Sequence, residues 1–421
     1  MSLRSRVRAA LPFACAALCI IATTLVAEAA ALRPNGIDHR VDALPDAMLL
    51  ARPAAALVDG ARQAAAARLE HWLVPGFLIS ILAQVLALAY FWQSGAAARL
   101  RDALRRAVRD EFVVRFLFGC SLAFVARAAA FVPEFYRYRI ERAWSLTAQL
   151  LHAWSAQYAI NTLVSMLVAG IVVAVVLWLV DRTHQWYIYT TVAIFAASIG
   201  IAYLNPLLIA PRVDRFVPLP AAVQRVADRL EARAHVGAPM LEQLHIGAHR
   251  DASYVLGFGS STSIAVGDVL IAVASPRELA FDLGNELGYV AMNLAWRVAF
   301  ADALFLIIGA ALAVTIADRI GFRRDDDPVS RLALVGALLG LIYLAVVPID
   351  NAMLARMSLA ADRYAVALTG DRASAVRSIV RDTDENLKEV CPDVFARLFM
   401  SDTASPAERV AAINGLPSTC P

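Results

Sequence analysis

The sequence predicts a multi-pass α-helical membrane protein with six or seven spans and one small α+β subdomain. Hydrophobic residues make up 60% of the 421 residues and charged residues only 18%, whereas soluble domains contain about 25% charged residues. Six stretches are long and apolar enough to cross a bilayer, which requires about 20 predominantly apolar residues. Two polar segments, 211–297 and 350–421, are separated by two of these stretches, so both emerge on the same side of the membrane. We therefore expect the two segments to assemble into the single subdomain.

The predicted spans are the apolar stretches 73–93, 114–133, 159–180, 187–210, 298–317 and 332–349. Several of them end at or near a tryptophan, as the interfacial belt of membrane proteins predicts. These tryptophans are Trp72, Trp92, Trp178, Trp186 and Trp296. The predicted organisation is N-terminal membrane helices over 31–210, a first polar part over 211–297, two membrane helices over 298–349 and a second polar part over 350–421.

Residues 1–30 support two interpretations. Arginines precede the apolar run Leu11–Ala27, and Ala27-Glu28-Ala29 matches the small-residue pattern of a signal-peptide cleavage site. These features are typical of a signal peptide, but a retained first transmembrane helix has the same composition. In both cases the residues that follow begin on the outer side of the membrane.

The distribution of positive charge predicts the orientation of the spans. With the N-terminus inside, the short segments on the inner side carry more basic residues than the outer segments 31–72 and 134–158. This orientation places the subdomain outside, which in a bacterium means an inner-membrane protein with a periplasmic subdomain. An outer location also permits a disulfide between Cys391 and Cys420, although the sequence does not establish one.

Charge also limits the classes of partner. The net charge of +3 is small and the basic residues are scattered between apolar blocks, whereas nucleic-acid binding requires a concentrated basic face. The composition therefore excludes a nucleic-acid-binding protein. We expect membrane lipid as one partner, and peptides or membrane-protein segments as others.

Local patterns predict a helix, a short sheet and a second helix in the first polar part. Apolar residues at helical spacing predict the first helix over 221–234. Short β-like runs follow at Leu241–Ile246, Ser253–Phe258 and Ser263–Val266. Ser275, Pro276 and Glu278 form the start signal of the second helix, with Ser275 as the N-cap and Glu278 completing a capping box. The apolar pattern runs on toward the span at 298, which predicts one unbroken helix that enters the membrane.

The second helix carries the segment Asn285-Glu286-Leu287-Gly288-Tyr289, which has the layout of H-E-x-x-H with both histidines replaced. On a helix, positions 285 and 289 share a face. In metalloproteases two imidazoles at such positions bind Zn²⁺, and the adjacent glutamate acts as general base. Alone, the segment is not a motif, and its meaning depends on the rest of the chain.

Further segments match one known pattern in order along the chain. They are Pro133-Glu134-Phe135-Tyr136, Ala143-Trp144-Ser145-Leu146-Thr147, Asn205-Pro206-Leu207, Arg215–Pro220, Ser253–Phe258, Ile264–Leu270, Asn351, Arg356, Ala361-Asp362, Tyr364-Ala365, Asn386-Leu387 and Glu408-Arg409. Together they make residues 70–412 resemble the integral-membrane zinc metalloproteases of the CAAX prenyl endopeptidase type. The resemblance implies that the polar subdomain is metalloprotease-like.

The resemblance assigns family roles to residues of this chain. Retained catalytic positions are Glu286, at the general base, Asp362, at an acidic residue that orients a ligand, and Arg409. Residues of the implied substrate-pairing edge strand are Ser253, Tyr254, Val255 and Gly257. The zinc-ligand positions hold Asn285, Tyr289 and Ser358, and Thr403 lies where the family has a C-terminal histidine.

The substituted ligand positions predict that the protein holds no zinc. An amide, a phenol with a pKa of about 10 and a hydroxyl are poor replacements for the imidazole, thiolate and carboxylate ligands of zinc sites. Without zinc, water keeps a pKa of about 15.7, and a carboxylate with a pKa of about 4.3 does not deprotonate it usefully. We therefore expect no cofactor and a catalytically inactive pseudoprotease.

Two other functions stay open. One is an active metalloendopeptidase that cleaves peptides or membrane-associated proteins, with Glu286 and Asp362 holding a metal in an unusual site. The other is a non-enzymatic chamber of membrane helices that binds peptides or lipids. Metal sites elsewhere are not favoured. His245 and His249 lie in a β-like segment, where a four-residue separation is about 13 Å, and Asp325–Asp327 fit a solvated loop.

Overall fold

The structure is a computed structural model that describes residues 21, 22, 25, 40–147, 149–213, 215–244, 253–321, 328–418 and 420. Most of the segment 1–30, the pair His245 and His249, and Asp325–Asp327 lie outside the described residues. The described part is mostly helical and contains one small sheet.

From Arg40 onward, eight α-helices precede the first strand in the described part of the chain. They are α1 (Arg40–Ala43), α2 (Asp46–Leu50), α3 (Gly60–Gln93), α4 (Ala96–Ala107), α5 (Glu111–Ala143), α6 (Leu151–Arg182), α7 (Trp186–Leu204) and α8 (Ala210–Val213). A π-helical turn, Asn205–Ile209, joins α7 to α8.

The sheet and its helices follow. These elements are β1 (Arg215–Pro218), α9 (Ala221–Ala234), β2 (Met240–Leu244), β3 (Ser253–Leu256), β4 (Ser263–Gly267), α10 (Asp268–Val273) and α11 (Pro276–Ala291). The remaining helices are α12 (Leu294–Gly321), α13 (Pro328–Thr369), α14 (Arg372–Glu385), α15 (Val394–Phe399) and α16 (Pro406–Asn414).

Six of the described helices are long and apolar enough to cross a membrane, and each coincides with one predicted span. They are α3, α5, α6, α7 with its π-helical turn, α12 and α13. Large apolar side chains on their outer faces are exposed, as expected for surfaces that contact lipid. The prediction of a multi-pass α-helical membrane protein is confirmed.

The sheet has the strand order β1-β2-β4-β3. Strands β2 and β4 are parallel, and the other two neighbouring pairs are antiparallel. β3 is therefore an edge strand, as expected for Ser253–Phe258. The sequence pattern did not predict β1, because this strand is only four residues long. It also ends in Pro218, and proline is confined to the ends and edges of strands.

The apolar face of α9 covers this sheet. Val223, Val226 and Leu230 are buried in one cluster with Ile264 of β4 and Leu283 of α11. The predicted helix over 221–234 is confirmed, and the three β-like runs are strands. β3 and β4 begin at the predicted residues, and the other described strand ends lie within two residues of the predicted ones.

Helix α11 begins as predicted. Ser275 Oγ accepts a hydrogen bond from the backbone N–H of Glu278, and the carboxylate of Glu278 accepts one from the backbone N–H of Ser275 at 2.8 Å. The expectation of an unbroken helix into the membrane is wrong. α11 ends at Ala291, and Asn293, with a φ of 52°, separates it from α12. This left-handed residue ends the run of helical backbone and lets α11 stay in the subdomain while α12 enters the membrane.

The two polar segments pack against each other. Phe281 of α11 is buried in one cluster with Ala365 of α13, Val376 of α14 and Val410 of α16. The segment that precedes α3 joins this cluster through Val41, Leu49, Ala54 and Leu57. Cys391 and Cys420 pack against the same cluster and form a disulfide, with their Cα atoms 5.3 Å apart.

Candidate functional site

Most of the residues that the sequence singles out meet at one cavity of about 630 Å³. Helix α11 contributes three positions of the degenerate motif, β3 contributes its edge, and α13 and α16 close the far side. The lining includes Ser253, Tyr254, Val255, Asn285, Glu286, Tyr289, Ser358, Thr403 and Arg409. The fold therefore brings together residues from four separate parts of the chain.

Asp362 lies behind this lining, with none of its surface exposed. Arg409 donates two hydrogen bonds to it, from Nε to Oδ2 at 2.8 Å and from Nη2 to Oδ1 at 2.7 Å. Asn285 Nδ2 donates a third, to Oδ1 at 2.8 Å. Burial by itself lowers the pKa of Arg409, but the charge and hydrogen bonds of Asp362 outweigh burial and raise that pKa above its ordinary value. Arg409 thus stays charged, and both carboxylate oxygens of Asp362 accept hydrogen bonds.

Glu286 lies beside this network and is 8% exposed. Ser253 Oγ, at the start of β3, donates a hydrogen bond to Glu286 Oε1 at 2.8 Å. Burial raises the pKa of Glu286 to about 7, although the hydrogen bond from Ser253 and the charge of Arg409 act in the opposite direction. At neutral pH this carboxyl group is therefore close to half protonated.

Tyr289 lines the cavity one helical turn after Asn285. Burial raises the pKa of its phenol well above the ordinary value, and the charge of Glu286 adds to the effect. The phenol therefore stays protonated in the physiological range. It offers a hydroxyl to the cavity and not a phenolate anion.

Ser358 is 3% exposed, and its hydroxyl already takes part in hydrogen bonds within the protein. It donates a hydrogen bond to the backbone carbonyl of Ala355 at 2.9 Å and accepts one from the backbone N–H of Ala404 at 3.0 Å. These bonds join α13 to the segment that leads into α16.

The edge strand β3 borders the same cavity. Ser253, Tyr254 and Val255 line it, and the hydroxyl of Tyr254 donates a hydrogen bond to Gln243 Oε1 on β2 at 2.5 Å. Gly257 lies outside the lining, in the turn after β3. Its φ is 70°, and a Cβ at this position would lie 2.6 Å from the ring of Pro206. The absence of a side chain at Gly257 thus lets this turn pack closely against Pro206, at the end of the membrane helix α7.

Comparison with protein families matches most of the chain. The model described as CAAX prenyl protease N-terminal, five membrane helices, matches residues 71–215, and the model of peptidase family M48 matches residues 219–415. The chain belongs to the CAAX prenyl protease type of the M48 family. The family resemblance inferred from the sequence is confirmed.

Several known proteins are similar to this chain at low identity. The uncharacterized metalloprotease YhfN of Bacillus subtilis is 23% identical over 328 residues, which cover 75% of this chain and 77% of YhfN. The CAAX prenyl protease 1 homolog of Arabidopsis thaliana is 25% identical over 275 residues, which cover 61% of this chain and 62% of that protein. The crystal structure of S. mikatae Ste24p has a TM-score of 0.59 at 15% identity, covering 82% of this chain and 97% of Ste24p. The chain therefore shares the fold of Ste24p.

The M48 site of this chain does not fit zinc. Its ligand positions present an amide, a phenol and a hydroxyl, which are poor zinc ligands. The Ser358 hydroxyl also already donates one hydrogen bond and accepts another within the protein. In the described part of the chain, no three His, Cys, Asp or Glu side chains are grouped so that they could hold a metal ion. Asp362, which in zinc sites would orient a ligating imidazole, is instead paired with Arg409. We therefore assign no step of a zinc mechanism to these residues.

The cavity also contains charged residues that sequence reasoning missed. They are Asp282, Asp302, Asp382 and Lys388. Asp282 lies one helical turn before the motif glutamate and accepts a hydrogen bond from Ser378 Oγ, so helical spacing was an available signal. Asp302 interrupts an apolar span, which is itself a signal of a functional position. Lys388 and Asp382 form a 2.6 Å ion pair on the cavity wall, and only the tertiary fold brings them there.

Proposed function

We propose that this chain is an M48 pseudoprotease that binds extended peptide segments at its cavity and does not hydrolyse them by zinc chemistry. The observation that carries the proposal is the closed network around Asp362, in which Arg409 and Asn285 occupy both carboxylate oxygens. A buried polar network whose members are all satisfied is stable without a metal ion.

Hydrolysis without a metal is strongly uphill at this site. Glu286 has a pKa of about 7, whereas free water has a pKa of about 15.7. Proton transfer from water to Glu286 therefore costs roughly 12 kcal/mol. A zinc ion would remove most of this cost by lowering the pKa of bound water to about 7, so Glu286 alone is a poor general base for water.

Peptide binding requires only groups that this chain retains. An edge strand can pair with an extended peptide through main-chain hydrogen bonds, while side-chain pockets give specificity. β3 is such an edge, and Ser253, Tyr254 and Val255 border a cavity of about 630 Å³. This volume lies within the range of ligand-binding pockets. Peptides or membrane-protein segments are therefore the proposed partners.

Metal analysis and peptide assays on the purified full-length protein test this proposal. We expect well below one zinc per chain, no cleavage of a broad set of unstructured peptides, and saturable binding of some of them. Val255→Arg places a bulky charge at the cavity and should weaken peptide binding at least tenfold, whereas Val394→Arg, at a position that is 65% exposed, should not. Stoichiometric zinc, or cleavage that Glu286→Gln abolishes, would instead indicate an active metalloendopeptidase.

We further propose that the chain is a bacterial inner-membrane protein whose subdomain faces the periplasm. The disulfide between Cys391 and Cys420 supports this orientation, because disulfides form in oxidising compartments. Ser260 is exposed in the subdomain, and Asp102 is exposed in α4, between the first two spanning helices. In spheroplasts an impermeant maleimide should label Ser260→Cys and should label Asp102→Cys only after the membrane is permeabilised. The reverse pattern would place the subdomain in the cytoplasm.

A further inference from the structure

A second cavity, of about 750 Å³, lies among the membrane-spanning helices α3, α12 and α13. It adjoins the first cavity, because Asp302 lines both. Its volume equals that of about 25 water molecules and lies within the range of ligand-binding pockets. The proposed peptide binding at β3 does not use this space.

The two ends of this membrane cavity differ in chemistry. Asp302 near the start of α12 and Asp350 in α13 lie at the end that faces the subdomain, and Tyr343 is close enough to interact with Asp350. Leu339 and Gly336 line the other end. Gly336 precedes Asp350 by 14 residues, which corresponds to about 21 Å along an α-helix. The cavity thus has an acidic mouth and an apolar depth.

Close contact between α3 and α13 shapes the deep end. A Cβ on Gly340 would lie 2.6 Å from Val85 Cγ2, and one on Gly336 would lie 3.1 Å from Leu88 Cδ1. Glycines at such positions let two membrane helices approach closely. This contact closes one side of the deep end, and the apolar side chains of α3, α12 and α13 enclose an aliphatic space of the kind that a hydrocarbon chain fills.

The mouth presents two carboxyl groups without a compensating cation. None of the described residues that line the cavity is Lys, Arg or His, and neither aspartate forms an ion pair with a described residue. Asp302 and Asp350 are close enough for their charges to interact. Asp350 Oδ1 is buried and has no hydrogen-bond partner within the described ranges. Carboxylates at membrane depth are costly unless they are paired, and they mark functional positions.

We propose that this cavity binds an amphiphile whose primary ammonium group lies between Asp302 and Asp350 and whose hydrocarbon tail lies in the apolar end of the cavity, enclosed by α3, α12 and α13. The acidic mouth attracts the cation, and the apolar depth accommodates the tail. An ammonium group donates up to three hydrogen bonds, one of which suits the unpartnered oxygen of Asp350, whereas a trimethylammonium group donates none. A free long-chain amine and an aminophospholipid are two sources of the same chemistry.

Native mass spectrometry of the full-length protein, with dodecylamine as the probe, tests this proposal. We expect one retained dodecylammonium per chain, and at least tenfold weaker retention of dodecyltrimethylammonium and dodecanol, which have the same chain length. Asp302→Asn and Asp350→Asn should each weaken retention of dodecylamine several-fold, and the double variant should abolish it. Asp318→Asn is the matched control, because Asp318 is exposed at the opposite end of α12 and outside the cavity lining.

Unchanged retention of dodecylamine in the double variant, or equal retention of the three probes by the wild-type protein, would overturn the proposal. Asparagine closely matches the shape of aspartate, and the two single variants supply the readout if the double variant does not insert. Competition with phosphatidylethanolamine and phosphatidylcholine separates the two sources. Displacement by phosphatidylethanolamine alone indicates a lipid head group, and displacement by neither indicates a free amine. Peptide binding at β3 is measured separately and does not depend on whether dodecylamine is retained.

Discussion

Arg409 holds both oxygens of Asp362, at 2.7 and 2.8 Å, and so joins α16 to the helix that extends from the membrane into the subdomain. Asn285 adds α11 to the same carboxylate. Three helices therefore meet at one buried anion. The position that orients a ligating histidine in a zinc site serves in this chain to connect helices.

Removing the cation of this pair should destabilise the subdomain. Arg409→Met leaves Asp362 buried and unpaired, which should lower the free energy of unfolding by about 3–5 kcal/mol. Adding Asp362→Leu to that variant should restore most of the loss, because the unpaired carboxyl group is then removed as well. Thermal unfolding of the purified protein measures both effects. As a control, Arg397→Met removes an exposed arginine that lies 3.9 Å from Glu408 and should cost less than about 1 kcal/mol. Equal costs for the two arginines would contradict the role given to Asp362.

Restoring the ligand positions should create a zinc site. Asn285→His, Tyr289→His and Ser358→Glu together supply three ligands, with Glu286 between the first two and Asp362 one helical turn after the third. Each single change should add little zinc affinity, because one ligand does not fix a tetrahedral geometry. The zinc content of each variant, measured by elemental analysis, should therefore rise only in the triple variant. A triple variant that folds and inserts normally but takes up no zinc would show that these positions do not correspond to the ligands of the family.

The stability of the protein should depend on the protonation of Glu286. Its pKa of about 7 in the folded protein lies above the ordinary value of 4.5, so between these pH values the folded state binds a proton that the unfolded state releases. The free energy of unfolding should therefore fall as the pH rises from about 4.5 to about 7, by up to about 3 kcal/mol. Glu286→Gln should reduce this slope, and Glu242→Gln should leave it unchanged. Unfolding midpoints measured at pH 5 and pH 8 test the difference, and a slope in Glu286→Gln as steep as that of the wild-type protein would contradict it.

The turn after β3 should tolerate only glycine. Gly257→Ala forces an alanine to a φ of 70° and places its Cβ 2.6 Å from Pro206. Gly415 has a φ of 68° but open space around it, so Gly415→Ala should cost only the conformational term of about 1 kcal/mol. We expect Gly257→Ala to lower the free energy of unfolding by at least about 2 kcal/mol, because the overlap of its Cβ with Pro206 adds to the cost of the positive φ. Thermal unfolding measures the global cost, and hydrogen exchange of β3 locates it. Similar costs for the two variants would argue against the close contact with Pro206.

Local signals account for the parts of the fold that were predictable. The spans follow from the lengths of apolar runs, and the start of α11 follows from Ser275 and Glu278, because a capping box is encoded within four residues. The break at Asn293 was missed because the apolar pattern runs through it. Val41 and Leu49 gave no sign that they join the core of the subdomain, because their partners lie more than 200 residues away.

The candidate site also combines residues that the sequence predicted with a contact that only the tertiary fold creates. The family resemblance selected Glu286, Asp362 and Arg409, and the structure brings all three together. The hydrogen bond from Asn285 to Asp362 was not predictable, because it depends on how two helices pack across 77 residues of sequence. The pairing explains why an amide at position 285 suits this site even though it is a poor zinc ligand.

The disulfide gives Arg409 a covalent tether. Cys391 and Cys420, 29 residues apart, close a ring that contains Arg409. A disulfide reduces the conformational entropy that residues inside its loop have in the unfolded chain. Arg409 therefore reaches Asp362 from a restricted ensemble, and less conformational entropy is lost when the pair forms. The fully buried side chain of Asp362 is in this way paired with an arginine whose freedom in the unfolded chain is restricted by a disulfide.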